Sequence, residues 1–353
     1  MGILGRAFIV AAVAVLATAL FKPVLFFHIP EFGFIPYVMA GGFLPPYMDH
    51  TMFDDDSWLK KGDVVVSVGA KCGTNWMMTM VHELRTWNIP EEKDFEDIFD
   101  VVPWAEFSQY PGITKEERVN LWNKRERWNS SKFPFRVFKS HMTPIPALKS
   151  DRKSRLQCLD IEGRSDVKFI AMTRDGRDVA KSLQKFFLAH SQEFRNLWGG
   201  FPPPLNSLDE AFDFVIPNEN IAVLEYVKEW WPFRHHPNVL LLHYADVLDD
   251  VPGTLRKLAK FIGLQGITEE AYREIEQRVS IEFMKKRSER YRCLCGRNLD
   301  LAILPAKNGV IRQGGVGSSS QLSEKHLQMF NEHMDRMFDG DEELKAWYKQ
   351  RMK

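Results

Sequence analysis

The sequence predicts an α/β domain with a central parallel sheet flanked by helices on both faces. Three observations carry this expectation. Short runs of apolar and β-branched residues recur at 63–68, 135–139, 167–173 and 239–243. Stretches of helical periodicity lie between and after them. The runs lack the in–out alternation of a half-exposed strand, so both of their faces are buried, as in a parallel sheet covered by helices. The 353 residues suit a single domain behind an N-terminal segment, and no internal repeat or low-complexity tract interrupts them.

Taken in order, the chain begins with Arg6 and an apolar or small-residue run over 7–21; Lys22-Pro23 interrupts it and residues 24–27 resume it. This fits the charged and apolar regions of a secretory signal, with Ala17-Thr18-Ala19 as a cleavage site. Extended to Phe27, with Lys22 reaching the interface, the run is long enough for a membrane anchor. A hydrophobic helix docked on the domain is the third reading. Arg6 stands where a myristoylation signal has Ser or Thr. Residues 1–27 are therefore expected to be a signal or anchor, with membrane association or the secretory pathway as the location and the cytoplasm as the alternative. Residues 28–56, rich in Pro, Gly and aromatics, read as an irregular lead-in, and 57–353 as the α/β domain.

Within that domain, Met77, Met80, Val81 and Leu84 fall on one face of a helix that Thr74 could cap. Residues 179–187 and 221–231 read as helices. Leu255, Leu258, Ala259 and Ile262 mark another that Gly263 stops. Ser323 caps a last one carrying Leu327, Phe330, Met334 and Met337.

Lys+Arg and Asp+Glu both number 47, so the net charge is zero. That balance speaks against a general nucleic-acid binder, and any anion site has to be local. Four cysteines are too few and too scattered for a disulfide scaffold, and Cys293-Leu294-Cys295 lacks the second pair or His spacing of a metal site. No metal is expected. The cluster Lys285-Lys286-Arg287 reads as solvated surface.

Three segments carry candidate chemistry. In the first, the strand at 63–68 runs through Gly69, Lys71 and Gly73 into a helix. Free N–H groups at the helix start, close backbone approach at the glycines and the Lys71 charge together form an anion cradle; the same residues also suit an ordinary strand–helix turn. The order is not Walker A, because Lys71 precedes Gly73 instead of following it. In the second, a strand ends in Lys139-Ser140-His141. A His there can act as a general base, although a lone His is more often structural. In the third, a strand leads into Arg174-Asp175-Gly176-Arg177-Asp178 and a helix with Ser182. Arg at such a turn can hold a phosphate, and the four charged residues can equally pair among themselves. The Gly- and Ser-rich stretch 311–320 is either a loop that closes on an anion or a linker.

In this order the pieces resemble the PAPS-dependent sulfotransferase family, in particular its cytosolic-type small-molecule branch. The family's Y-P-K-S-G-T-T-W loop is similar to residues 69–76, its K-[TS]-H strand end to Lys139-Ser140-His141, and its R-[ND]-x-[KR]-D-x-x-x-S segment to residues 174–182. Its V-P-[FW]-x-E segment resembles residues 102–106. Trp230-Trp231 and residues 236–246 resemble its W-W and H-P-x-V-L-x-L-x-Y-x-D, and residues 312–317 its R-K-G-x-x-G. The likeness covers roughly 55–340. It implies the P-loop-kinase-like sulfotransferase fold, PAPS as donor with PAP as product, and no metal.

The resemblance further implies His141 as general base, with Lys71 and Lys139 stabilising charge. It implies donor contacts from Lys71, Cys72, Gly73, Thr74, Asn75, Trp76, Arg174, Ser182, Tyr244, Ser280, Met284, Arg312, Gln313 and Gly314. Trp104, Phe107, Phe186 and Phe187 are candidates for an apolar acceptor pocket, and the implied acceptor is a small hydrophobic alcohol, phenol, sterol or amine. Departures are Cys72 for Ser, Asn75 for Thr, Val279 and Ile281 for the adenine-pocket Thr and Phe, Gln313 for Lys and Ser318-Ser319 for D-W; they predict a weakened grip on the donor. Alternative readings are a carbohydrate sulfotransferase of the secretory pathway, a nucleotide-binding kinase-like enzyme and an inactive relative.

Overall fold

A computed structural model describes residues 45–54, 57–125, 127–145, 157–215, 223–304, 311, 314–317 and 322–352. Its centre is a four-stranded sheet in the order β2-β1-β5-β6, formed by β1 (Val64–Val68), β2 (Val137–Ser140), β5 (Lys168–Thr173) and β6 (Val239–His243). Every pairing is parallel: Val66 lies opposite Lys139 and Ile170, and Thr173 opposite His243. The four predicted strands are therefore the sheet, each shifted by no more than two residues at either end. Two short pairs were not expected: β3 (Thr143–Pro144) with β4 (Gln157–Leu159), and β7 (Leu294–Cys295) with β8 (Leu301–Ala302).

The period-2 geometry of a strand divides the core. Val64, Val66 and Val68 pack with Val137, Ile170 and Met172 on one face, while Val65 packs with Phe138, Phe169 and Ala171 on the other. All five residues of β1 are buried. Each such Val contributes about 1.5–3 kcal/mol of transfer free energy, which is why β1 tolerates no alternation. The same period places Lys139 on the face of Val137. At the opposite end of the sheet, Arg136 grips the buried Asp63 with two guanidinium nitrogens, pinning β2 to the start of β1.

The helices that matter for the site are α1 (Thr74–Arg85), α2 (Gly176–Leu188), α3 (Val223–Trp230), α4 (Ile281–Lys286), α5 (Glu324–Met337) and α6 (Glu342–Lys349). The cap of α1 is Gly73, at φ +97°, and not Thr74 as the sequence suggested. Helix α2 starts at Gly176, three residues before its apolar periodicity, because Asp175 accepts from the Arg177 N–H and caps it. Helix α3 stops at Trp230, where Pro232 forces a short 3₁₀ turn.

Chain order turns at the middle of the sheet: β1 leads outward to β2, and β5 returns on the other side of β1. Such a switch point opens a crevice at the strands' carboxyl ends. The loops after β1, β2, β5 and β6 all meet there. Residues 1–44, with the signal or anchor expectation, lie outside the described residues, as do Arg312, Gln313, Ser318 and Ser319. Among the described residues no helix is long and apolar enough to cross a membrane.

Candidate active site

The crevice is a cavity of about 680 Å³, ample for a nucleotide and a small organic molecule together. Its floor is the loop between β1 and α1. The Gly69 N–H bonds the Met172 carbonyl at 3.0 Å and Cys72 N–H bonds the Gly69 carbonyl at 3.0 Å. This tight loop puts Lys71 in the left-handed region at φ +62°. A Cβ on Gly73 would stand 2.9 Å from the Tyr244 ring and 3.0 Å from Met172 Cε, so only glycine fits. Among the described residues no side chain caps α1, and Gly73, Thr74 and Asn75 at its start line the cavity.

His141 follows β2. Its Nδ1 lies 2.5 Å from the Val68 carbonyl, and its backbone N–H donates to Glu106 Oε1 at 2.5 Å. A carbonyl only accepts, so Nδ1 carries the proton and Nε2 keeps its lone pair. Burial, then the nearby Lys139 and Lys71 charges, hold the imidazole well below its ordinary pKa. In the neutral form this favours, Nε2 can accept a proton.

Lys139 is 5% exposed. Its Nζ sits 3.0 Å from the Trp104 ring centroid, over the π face. Burial pulls its pKa down to about 8, against the opposing pull of Cys293, Glu106 and Asp97. The segment carrying Trp104 is tied to β2 as an extra sheet edge: Lys139 N–H bonds the Pro103 carbonyl at 2.8 Å and Ala105 N–H bonds the Lys139 carbonyl at 3.0 Å. Trp104 also meets His141 edge-on at 5.2 Å. Lys71 Nζ lies 3.9 Å from the Phe186 ring centroid.

On the other wall, Arg174 Nη2 donates to Asp178 at 3.0 Å and to the Gly315 carbonyl at 2.7 Å, and its guanidinium lies over Tyr244 at 4.5 Å. Its Nε is buried and has no hydrogen-bond partner among the described residues. Both readings of this cluster hold in part: Arg177 pairs with Asp175 and Arg174 with Asp178, yet Arg174 and Ser182 still line the cavity. Trp76 and Tyr244 meet at 5.4 Å near one end, and Trp76 Nε1 donates to the Val279 carbonyl at 2.9 Å. Val279 thus holds Trp76 through its main chain. Ile281 packs where a Gly314 Cβ would come within 2.9 Å. Ser280 is spent partly on capping α4.

The structure brings His141, Lys71, Lys139, Gly73, Thr74, Asn75, Trp76, Arg174, Ser182, Tyr244, Ser280, Met284 and Gly314 to this one cavity, with Trp104, Phe186 and Phe187 on its apolar side. Two candidates stand elsewhere. Cys72 is fully buried, its Sγ directed at the Ala70 carbonyl at 3.6 Å, and burial pushes its thiol up to about 12; only its main chain belongs to the cradle. Phe107 is 2% exposed and stacks behind Trp104 at 4.8 Å, so it backs the wall without forming it. The sequence reading missed Tyr47, Phe99 and Cys293, which also line the cavity. Tyr47 lies in the irregular lead-in, where periodicity gives no signal. Among the described residues no cluster of three or more His, Cys, Asp or Glu could hold a metal.

Residues 61–347 match the family model described as "Sulfotransferase domain". Sulfotransferase 1A1 of Bos taurus is 26% identical over 225 residues, 64% of this chain and 66% of that protein. Sulfotransferase 1E1 of Homo sapiens is 26% identical over 204 residues, 57% of this chain and 58% of that protein. The chain thus spans less than two thirds of the length of these relatives. The fold is similar to that of the mouse sulfotransferase SULT7A1 complexed with PAP, at a TM-score of 0.60 and 17% identity, covering 85% of this chain and 91% of that one.

Proposed function

The chain belongs to the sulfotransferase family, and from that premise we propose that it transfers a sulfuryl group from PAPS to the hydroxyl of a small hydrophobic acceptor. The observation that carries this reading is His141: a neutral imidazole with its Nε2 lone pair available, beside two lysines, at the mouth of a glycine cradle.

The chemistry of the residues fits such a donor. The Gly73 cradle and the uncapped start of α1 suit its 5′ sulfate and phosphate. Arg174, with a buried Nε in need of an acceptor, and Ser182 suit its 3′-phosphate. Trp76 and Tyr244 suit its adenine. When bound, PAPS supplies the sulfuryl group.

His141 Nε2 takes the proton of the acceptor hydroxyl, while Val68 holds the ring in the required tautomer. Lys139 and Lys71 hold positive charge where negative charge develops during transfer; Trp104 and burial keep water from screening Lys139. The aromatic side of the cavity, with Phe99, Trp104, Phe186 and Phe187, suits a planar apolar acceptor. Absence of the Walker A order disfavours a kinase.

The test is calorimetric binding of PAP and ATP to the purified chain, followed by transfer from labelled PAPS to pooled phenols and sterols. PAP binding tighter than ATP, with label in an organic product, is expected; no PAP binding sinks the reading. For residues 1–27 the proposed role is a membrane tether or secretory signal, checked by fractionating cells that express the chain with and without them. Equal distribution in the soluble fraction counts against it.

A further inference from the structure

The C-terminal helices reach back to the turn that carries Arg174. Tyr348, on α6, is completely buried. Gly176 N–H donates to its Oη at 2.9 Å, and that Oη donates to the Arg174 carbonyl at 2.8 Å. One hydroxyl therefore ties both sides of Asp175, the residue between them. The Gly176 N–H opens α2 and has no partner within the helix, so it depends on this oxygen. Phe330, on α5, closes over the same point: a Cβ on Gly176 would come within 2.5 Å of its ring. The Gly315 carbonyl, on the chain leading into α5, takes the Arg174 side chain at 2.7 Å. Three contacts from residues 315–348 thus converge on a turn made by residues 174–176.

These contacts divide the work of placing the guanidinium. Asp178, Tyr244 and Gly315 hold its tip. Tyr348 holds the main-chain groups on both sides of Asp175, the backbone from which the side chain starts, and a small rotation there moves the tip most.

We propose that Tyr348 is a positioning residue for the donor's 3′-phosphate, fixing the backbone of the Arg174 turn from the far end of the chain. The proposal rests on the sulfotransferase reading. It places the specificity for a 3′-phosphorylated nucleotide partly in a helix that never touches the nucleotide.

PAP and adenosine 5′-phosphate differ only in the 3′-phosphate, so their dissociation constants isolate this contact. Calorimetry on the full chain is expected to show that Tyr348→Phe weakens PAP by about tenfold and leaves adenosine 5′-phosphate unchanged. A general loosening of the fold would weaken both alike, and that result overturns the proposal. So does a Tyr348→Phe chain that binds PAP as the wild type does. Wild-type protein that binds both nucleotides equally overturns the sulfotransferase reading as well, so the two failures are distinguishable. Gly176→Ala moves the same turn from the Phe330 side, with the hydroxyl intact, and reads the clamp should Tyr348→Phe not fold. The same selective loss of PAP is expected; an equal loss of both nucleotides overturns the proposal.

Discussion

The Nδ1 of His141 stands 2.5 Å from the carbonyl oxygen of Val68, the last residue of the neighbouring strand. This single bond gives the neutral imidazole a defined tautomer, because a backbone carbonyl can only accept. His141→Ala is expected to keep PAP affinity and to lower turnover by about 10² or more. Near-normal turnover in that variant removes the base assignment.

The pH profile follows from two displaced groups. His141 fails as a base only when protonated, and its pKa lies well below 6.5, so the acid limb of kcat/KM for the donor lies below that value. Lys139 loses its charge above about 8, which sets the alkaline limb there. A bound anion near Lys139 favours the ammonium, so the alkaline limb of kcat lies higher than that of kcat/KM. Steady-state rates from pH 5 to 10 check this, and an acid limb at the ordinary His value contradicts it.

Glu106 is buried and accepts the His141 backbone N–H through Oε1; burial raises its carboxyl pKa. Glu106→Gln keeps an acceptor for that bond and Glu106→Ala does not. Urea unfolding is expected to find the Ala variant about 1–3 kcal/mol less stable than the Gln variant. Equal stabilities argue that the bond does not matter.

Gly73→Ala forces an L-residue into φ +97° and a methyl to 2.9 Å from the Tyr244 ring. A stability loss of at least about 1 kcal/mol is expected, together with weaker PAP binding as the loop shifts. A variant with wild-type melting and PAP affinity refutes the tight-cradle account.

The sheet was legible because its physics is local. Buried strands of a parallel sheet need largely apolar runs, and α1 shows its face through Met77, Met80, Val81 and Leu84. Helix caps were less legible: Gly73, not Thr74, closes the start of α1, since the loop's left-handed turn excludes a side chain there. The order of Lys71, Lys139, His141 and Arg174 along the chain was enough to suggest one anion site. Which of their neighbours face it was not. Cys72 and Phe107 carry the right chemistry at the right spacing, yet their side chains turn away because the loop and the Trp104 stack give them apolar burial instead.

Sequence alone determined the strands, the principal helices and the residues that can bear charge or take a proton. Tertiary structure alone decided the tautomer of His141, the depressed pKa of Lys139 and the tie between Tyr348 and a turn 174 residues away. The physical reason is range. Periodicity and turn chemistry act over a few residues, whereas burial and single hydrogen bonds depend on which distant segments the folded sheet brings together.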